Sequence, residues 1–266
     1  MTRDQEFYAA LSRLNREVYM PGENKRLYDK DISPLKNRMA RENKIVESLE
    51  KAVELTGLQD GMTISFHHHF RDGDHIVNMV LDTLARMGFR DLRLAPSSLS
   101  DVHAPLIQHI KNGVVSHIET SGCRGALAKA VSHGLMDEPM VFRSHGGRAA
   151  AIEEDEIHID VAFLGNANGY SREGEEKSMC GSLGYARVDA QYADNVIVLT
   201  DNIVGYPNVP FGISQRLVDY IVCVDDVGDA SKIMTGATRF STNPHDLMIA
   251  EATSNVIVHS GYFYDG

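Results

Sequence analysis

Only three cysteines, Cys123, Cys180 and Cys223, occur among 266 residues. They are too few and too scattered for a disulfide framework or a Cys-rich zinc site, so free thiols in a reducing cytosol are the expectation. No uncharged run reaches the ~18 residues that suggest a membrane span. The opening Met1–Glu6 is polar and lacks an apolar h-region, so no secretory signal is expected. Positive charge is scarce: 26 Lys and Arg face 37 Asp and Glu, a formal net charge of −11. That balance argues against nucleic acid and against an anionic membrane as partners. No Gly-x-Gly-x-x-Gly follows the first strand, and there is no P-loop and no Gly-x-Ser-x-Gly elbow, which removes the common nucleotide and serine-hydrolase signatures. Internal repeats and low-complexity segments are absent too.

What is present is ordinary globular material, 43% hydrophobic and 24% charged, enough to bury a core without disulfides or a structural metal. Phe7, Leu11 and Leu14 fall on one helical face, and Ile45, Leu49, Ala52 and Val53 mark a second helix over about Leu35–Leu55, with Gly57 as its stop. Residues 1–57 therefore read as an N-terminal helical extension peripheral to the rest. From Gly61 the period changes. Short apolar runs (Thr63–Phe66, Leu92–Ala95, Val114–Glu119, Met140–Phe142, Val161–Leu164, Val196–Thr200, Ile221–Val224) alternate with helical stretches near His75–Met87, Ala104–Lys111 and Ala126–Leu135. A last helix is expected over about Pro244–Ser254, started by Asn243-Pro244. Such alternation predicts an α/β domain over 58–266, a mostly parallel sheet with helices on both faces.

Ligands of such sheets bind at the carboxyl ends of the strands, so the residues after each apolar run are the candidates. They include His67, His68, Arg71 and Gly73; Ser97, Ser98 and Ser100; Gly122, Cys123 and Arg124; Arg143, Gly146, Gly147 and Arg148; and Asn166–Gly169. Glycine-bearing loops leave backbone N–H groups for an anion. Arg71, Arg124, Arg143 and Arg148 form the basic patch that an anionic substrate needs on an acidic protein. His67-His68-His69 alternate in direction, so three in a row do not converge on one ion, and no metal is expected. Cys123 beside Arg124 reads foremost as a small residue in a Gly-flanked turn, with a stabilised thiolate as the alternative. The serine cluster reads equally as anion binder and as N-cap of the helix near Ala104.

Six segments together carry a resemblance: Gly57–His68, Leu94–Leu106, Thr120–Gly125 (Thr-Ser-Gly-Cys-Arg-Gly), Ser144–Arg148 (Ser-His-Gly-Gly-Arg), Cys180–Ala186 (Cys-Gly-Ser-Leu-Gly-Tyr-Ala) and His259–Phe263 (His-Ser-Gly-Tyr-Phe). In this order, from about Lys44 onward, the sequence resembles the alpha subunit of citrate lyase. The resemblance implies a CoA-transferase-like fold. It also implies a citrate:acyl-carrier-protein transferase in citrate fermentation, exchanging acetyl for citryl on a carrier thiol and releasing acetate without a glutamyl thioester. A citramalate lyase counterpart is the near alternative, and a non-catalytic half-chain that binds partner subunits is another. The implied partners are a gamma acyl carrier protein and a beta lyase subunit in an oligomeric cytoplasmic complex. No cofactor is covalently bound to this chain. The thiol belongs to the carrier's phosphoribosyl-dephospho-CoA group, with acetyl-CoA as a surrogate.

Three carboxylates on citrate call for arginines and backbone donors. On that ground Arg71, Ser97, Ser98 and Arg124 are assigned to carboxylate binding, Gly73, Gly122, Gly146 and Gly147 to backbone approach, and His67 or His68 to positioning the acyl oxygen. Members of the family are about twice as long, with a second α/β domain, which implies that this chain supplies one wall of a site between halves. The family also carries several more residues, Pro and Asp among them, between Gly165 and Asn166.

Overall fold

The computed structural model describes residues 44–67, 70–165, 185–201, 213, 215–229 and 241–260. The helix expected around Phe7–Leu14, His68 and the candidate residues Asn166–Gly169 lie outside them, as does the side chain of Arg71.

Among the described residues eight strands form one parallel sheet: β1 (Ile45–Val46), β2 (Thr63–His67), β3 (Leu92–Pro96), β4 (Val115–Thr120), β5 (Val141–Phe142), β6 (Val161–Gly165), β7 (Asn195–Thr200) and β8 (Tyr220–Cys223). Their spatial order is β1-β8-β7-β6-β2-β3-β4-β5. The helices are α1 (Leu49–Thr56), α2 (Ile76–Met87), α3 (Leu106–Lys111), α4 (Gly125–Ser132), α5 (His145–Glu153), α6 (Ala186–Tyr192) and α7 (Pro244–Ser260).

Alternation along each strand divides the core into two layers. Ile64 and Phe66 of β2, Leu92 and Leu94 of β3, Val161 and Phe163 of β6, and Ile197 and Leu199 of β7 face one cluster with the buried sides of α1 to α4. Ala162 and Leu164, with Val196 and Val198, face the other cluster with Ala151 and Ile152 of α5 and Ala186 and Ala190 of α6. Both faces are covered, as the strand–helix alternation requires. Phe66 and Phe163 stack at 5.5 Å across the β2–β6 pair. Burying such a side chain contributes roughly 1.5–3 kcal/mol.

Three sequence expectations need correction. Ile45 and Val46, placed in a long second helix, instead pair in parallel with Ile221 and Val222 at the sheet edge. The helix begins only at Leu49, where the Ser48 hydroxyl accepts the Lys51 N–H, and it ends at Gly57 in the left-handed region (φ 70°). Because Leu49, Ala52 and Val53 lie in the main core, residues 44–57 belong to the α/β unit rather than to a peripheral extension. Two β-branched residues flanked by a cap signal carry this, and the apolar spacing alone hides it. Next, the segment behind Phe142, expected as a loop, is the helix α5. Its two glycines suppress helix propensity, and the buried Arg148, Ala151 and Ile152 override that deficit. Lastly, α6 (Ala186–Tyr192) was not foreseen, and α7 runs to Ser260 rather than Ser254. None of the residues of α7 is buried, and Met248, Ile249, Val256 and Val258 are each more than 60% exposed.

The strand order matters most for function. The chain enters the sheet's middle at β2, lays β3, β4 and β5 to one side, then returns to place β6, β7 and β8 on the other. β2 pairs with both β3 and β6, so the direction of winding reverses there. The crevice beyond the carboxyl ends of β2 and β6 is the topological switch point, the position such sheets use for ligands.

Candidate functional site

His67 ends β2 at this switch point, 5% exposed. Its ring meets the edge of Tyr185 with centroids 5.1 Å apart. His145, the first residue of α5, meets the same Tyr185 ring at 4.6 Å, and the Arg148 guanidinium sits over it at 5.3 Å. Three cation-capable side chains from β2 and α5 thus converge on one aromatic ring at the start of α6. The Tyr185 hydroxyl and the Arg148 Nε are buried, and neither has a hydrogen-bond partner among the described residues.

Arg148 is not a free cation. It is wholly buried, its Nη1 and Nη2 reach the two Asp189 oxygens at 2.9 and 3.3 Å, and Nη2 also donates to the Ala95 carbonyl. Burial pushes the Asp189 carboxyl above its ordinary value, and Arg148 opposes that rise. Arg143 is committed as well: Nε donates to Glu119 and Nη1 reaches Glu156 at 2.9 Å. The hydrogen bond to Glu119 holds its guanidinium above the ordinary value. Two of the four arginines expected to form the anion patch are therefore neutralised by carboxylates. Arg124 is the contrast. It sits at the N-cap of α4, is exposed, and forms no ion pair among the described residues.

The loops themselves are stitched together rather than left open. Ser97 N–H donates to Phe66 O at 2.8 Å, Leu99 N–H to Gly122 O at 2.7 Å, and Arg124 N–H to Leu99 O at 3.1 Å. Beyond their ends β3 and β4 thus continue their ladder, and the expected surplus of free N–H groups is mostly consumed. The amide of Gly73 goes to Phe70 O at 2.9 Å, that of Gly122 to the Thr120 hydroxyl at 3.4 Å, and that of Gly147 to the capping Ser144 hydroxyl at 3.0 Å. Gly146 lies exposed in the first turn of α5. Gly122 lies close to Ser98, where an added Cβ would stand 3.7 Å from the serine Cβ. Ser97 is buried and Ser98 partly exposed at the end of β3. Ser100 takes the capping role: its N–H donates to His103 Nδ1 at 2.9 Å at the head of the Asp101–His103 turn.

Cys123 is half-buried, and burial pushes its thiol up. That favours the turn-residue reading over a stabilised thiolate. A separate groove of about 490 Å³ near the N-terminus of α1 is lined by Glu47, Glu50, Asp225 and Asp226 among others. Four carboxylates there repel a polyanion, so the strand-end crevice is the better host for one.

His145, Ser121, Tyr185 and Asp189 were not chosen from sequence. Ser144 as a cap residue before Ala149-Ala150-Ala151 was a usable signal for α5 and hence for His145. Nothing in the linear pattern brings Tyr185 beside His67.

A parallel sheet whose winding reverses between β2 and β6, with a polar cluster at the reversal, defines a doubly wound α/β protein. Two distant structures share that fold: a malonate decarboxylase alpha subunit from Acinetobacter baumannii (16% identity, TM-score 0.50, covering 70% of this chain and 35% of that one), and RipA from Yersinia pestis (18%, 0.51, covering 80% and 48%).

More narrowly, residues 42–266 match the family model for the citrate lyase alpha subunit (CitF), and the chain belongs to that family. It is 56% identical over 234 residues to the citrate lyase alpha chain of Klebsiella pneumoniae, covering 85% of this chain and 45% of the relative. It is 54% identical over 235 residues to that of Escherichia coli, with the same coverages. A crystal structure of a citrate lyase alpha subunit in complex with citrate, from Streptococcus mutans, superposes with a TM-score of 0.76 at 52% identity, over 87% of this chain and 46% of that one. The chain thus spans about half the length of the relatives it matches.

Proposed function

We propose that this chain carries the citrate-binding wall of an acyl transferase, which exchanges acetyl for citryl on the thiol of an acyl carrier protein and releases acetate. The relationship to a citrate lyase alpha subunit whose crystal structure holds citrate is the observation that supports this most directly. In the proposed exchange a citrate carboxylate attacks the acetyl thioester, giving a mixed anhydride and the carrier thiol. The sulfur then attacks the citryl carbonyl and acetate leaves. Oxyanion charge develops at both carbonyls, and fixed polar groups that exclude water stabilise it best. Arg124, which has no ion-pair partner among the described residues, binds a citrate carboxylate together with Arg71. Ser98 and the His67 edge of the crevice orient the rest.

The same reading proposes a carrier bearing a phosphoribosyl-dephospho-CoA thiol, with acetyl-CoA as surrogate, together with a lyase subunit in a cytoplasmic complex. It also proposes that the second half of the longer relatives supplies the opposite wall. The test combines labelled citrate, acetylated carrier and this chain, with and without a separately expressed second half from such a relative. A citryl thioester formed only with both halves is the expected result. Citramalate in place of citrate decides between the two hydroxy acids, and carrier binding without any exchange would establish a non-catalytic half-chain instead.

A further inference from the structure

One hydrogen-bond chain at the crevice fixes a proton. The Ser97 carbonyl accepts from the Ser121 hydroxyl, and a carbonyl has nothing to donate. The single hydroxyl proton of Ser121 is therefore committed to it. Ser121 Oγ also lies 3.1 Å from His145 Nδ1. With its proton spent, Oγ is an acceptor toward the ring, so Nδ1 carries the hydrogen. A neutral imidazole so held has its lone pair on Nε2. His145 is exposed at the head of α5, and its ring is braced on Tyr185 at 4.6 Å. The rotamer and the tautomer are both set by residues of other elements, and Nε2 forms no hydrogen bond among the described residues.

We propose that His145 is a catalytic residue that handles the carrier's thiol proton, an inference that rests on the transferase reading above. As the citrate carboxylate oxygen bonds to the thioester carbonyl carbon and the carbon–sulfur bond breaks, protonated His145 gives its Nε2 proton to the departing sulfur. Anhydride, thiol and neutral His145 result. In the second half Nε2 takes the proton back, sulfur bonds to the citryl carbonyl, the anhydride carbon–oxygen bond breaks, and acetate leaves as its carboxylate. No proton is consumed overall. Ser121 is a positioning residue, acting only through the tautomer it imposes.

Two measurements test this. A long-range proton–nitrogen spectrum of histidine-labelled chain, with His145 assigned by its loss in His145→Gln, should show the Nδ1–H tautomer, and Ser121→Ala should turn it into a mixture. In the exchange assay His145→Gln should lose about 10²–10⁴-fold in rate while citrate affinity is retained. Ser121→Ala should lose less and shift the pH profile, and Ser121→Thr should restore both. An Nε2–H tautomer, or an undiminished rate for His145→Gln where the wild type exchanges, overturns the role of His145 alone. A wild type that exchanges nothing even with the second half supplied, while keeping the expected tautomer, overturns the transferase reading and the proton transfer built on it.

Discussion

Arg148 of α5 and Asp189 of α6 form a wholly buried ion pair, Nη1 2.9 Å from Oδ1, at the back of the crevice. It joins α5 and α6, which pack on one face of the sheet, and through Nη2 it ties both to Ala95 near the end of β3. Arg148→Met leaves the carboxylate buried and alone. The expected loss is about 3–5 kcal/mol, read from the denaturant midpoint.

The same variant has a defined pH dependence. Burial raises the Asp189 carboxyl and Arg148 opposes that rise, so removing Arg148 raises it further. A carboxyl raised in the folded state binds its proton more readily there than in the unfolded chain. Its stabilising contribution is full below the ordinary carboxylate range and disappears as pH climbs through the raised value. The destabilisation by Arg148→Met should therefore shrink on acidification from neutral pH. A constant difference across that window would argue against an ionised, buried Asp189.

Arg124 and Arg143 separate binding from structure. Arg124 has no carboxylate partner among the described residues, so Arg124→Gln should weaken citrate binding by about ten- to a hundredfold, the equivalent of one charge-assisted hydrogen bond. Arg143 is held by Glu119 and Glu156, so Arg143→Gln should leave affinity nearly unchanged. Calorimetric titration with citrate reads both. Affinity lost in Arg143→Gln and kept in Arg124→Gln would reverse the assignment.

Gly125 tests the join between α4 and the turn behind β3. Its φ is +67°, and a Cβ there would stand 1.5 Å from Asp101 Oδ1. Gly125→Ala should cost more than about 2 kcal/mol. Adding Asp101→Ala should recover the steric share and leave about 1–2 kcal/mol for the left-handed backbone. If the two substitutions prove strictly additive, the contact is not what forbids a side chain.

Cys123 should be the slow thiol. In a Cys180→Ser background the exposed Cys223 should react first with a thiol reagent at pH 8. Cys123, half-buried with its thiol raised, should trail by about tenfold because the thiolate is the reactive species. Preferential modification of Cys123 would revive the nucleophile reading.

The parallel sheet was legible because period-two burial on both faces forces short, nearly continuous apolar runs such as Val161–Leu164. The strand-end rule then pointed to His67, Ser97, Ser98 and Arg124 without coordinates. The reading failed where local pattern and tertiary demand diverge. Ile45 and Val46 fit a helical stripe but serve as an edge strand, because β8 offers a ladder that a short helix cannot match. Gly146 and Gly147 disfavour a helix, but the buried ion pair of Arg148 and the packing of Ala151 hold one together.

Sequence by itself determined the class of sheet and the family, since hydrophobic period and motif order are properties of the linear chain. Which charges remain available was decided only by the tertiary structure. Arg143 and Arg148 look like Arg124 in a linear sequence, and they differ because folding brings Glu119, Glu156 and Asp189 within bonding distance of two of them, whereas the third has no carboxylate partner among the described residues. The tautomer of His145 was decided in the same way, by a carbonyl forty-eight residues upstream.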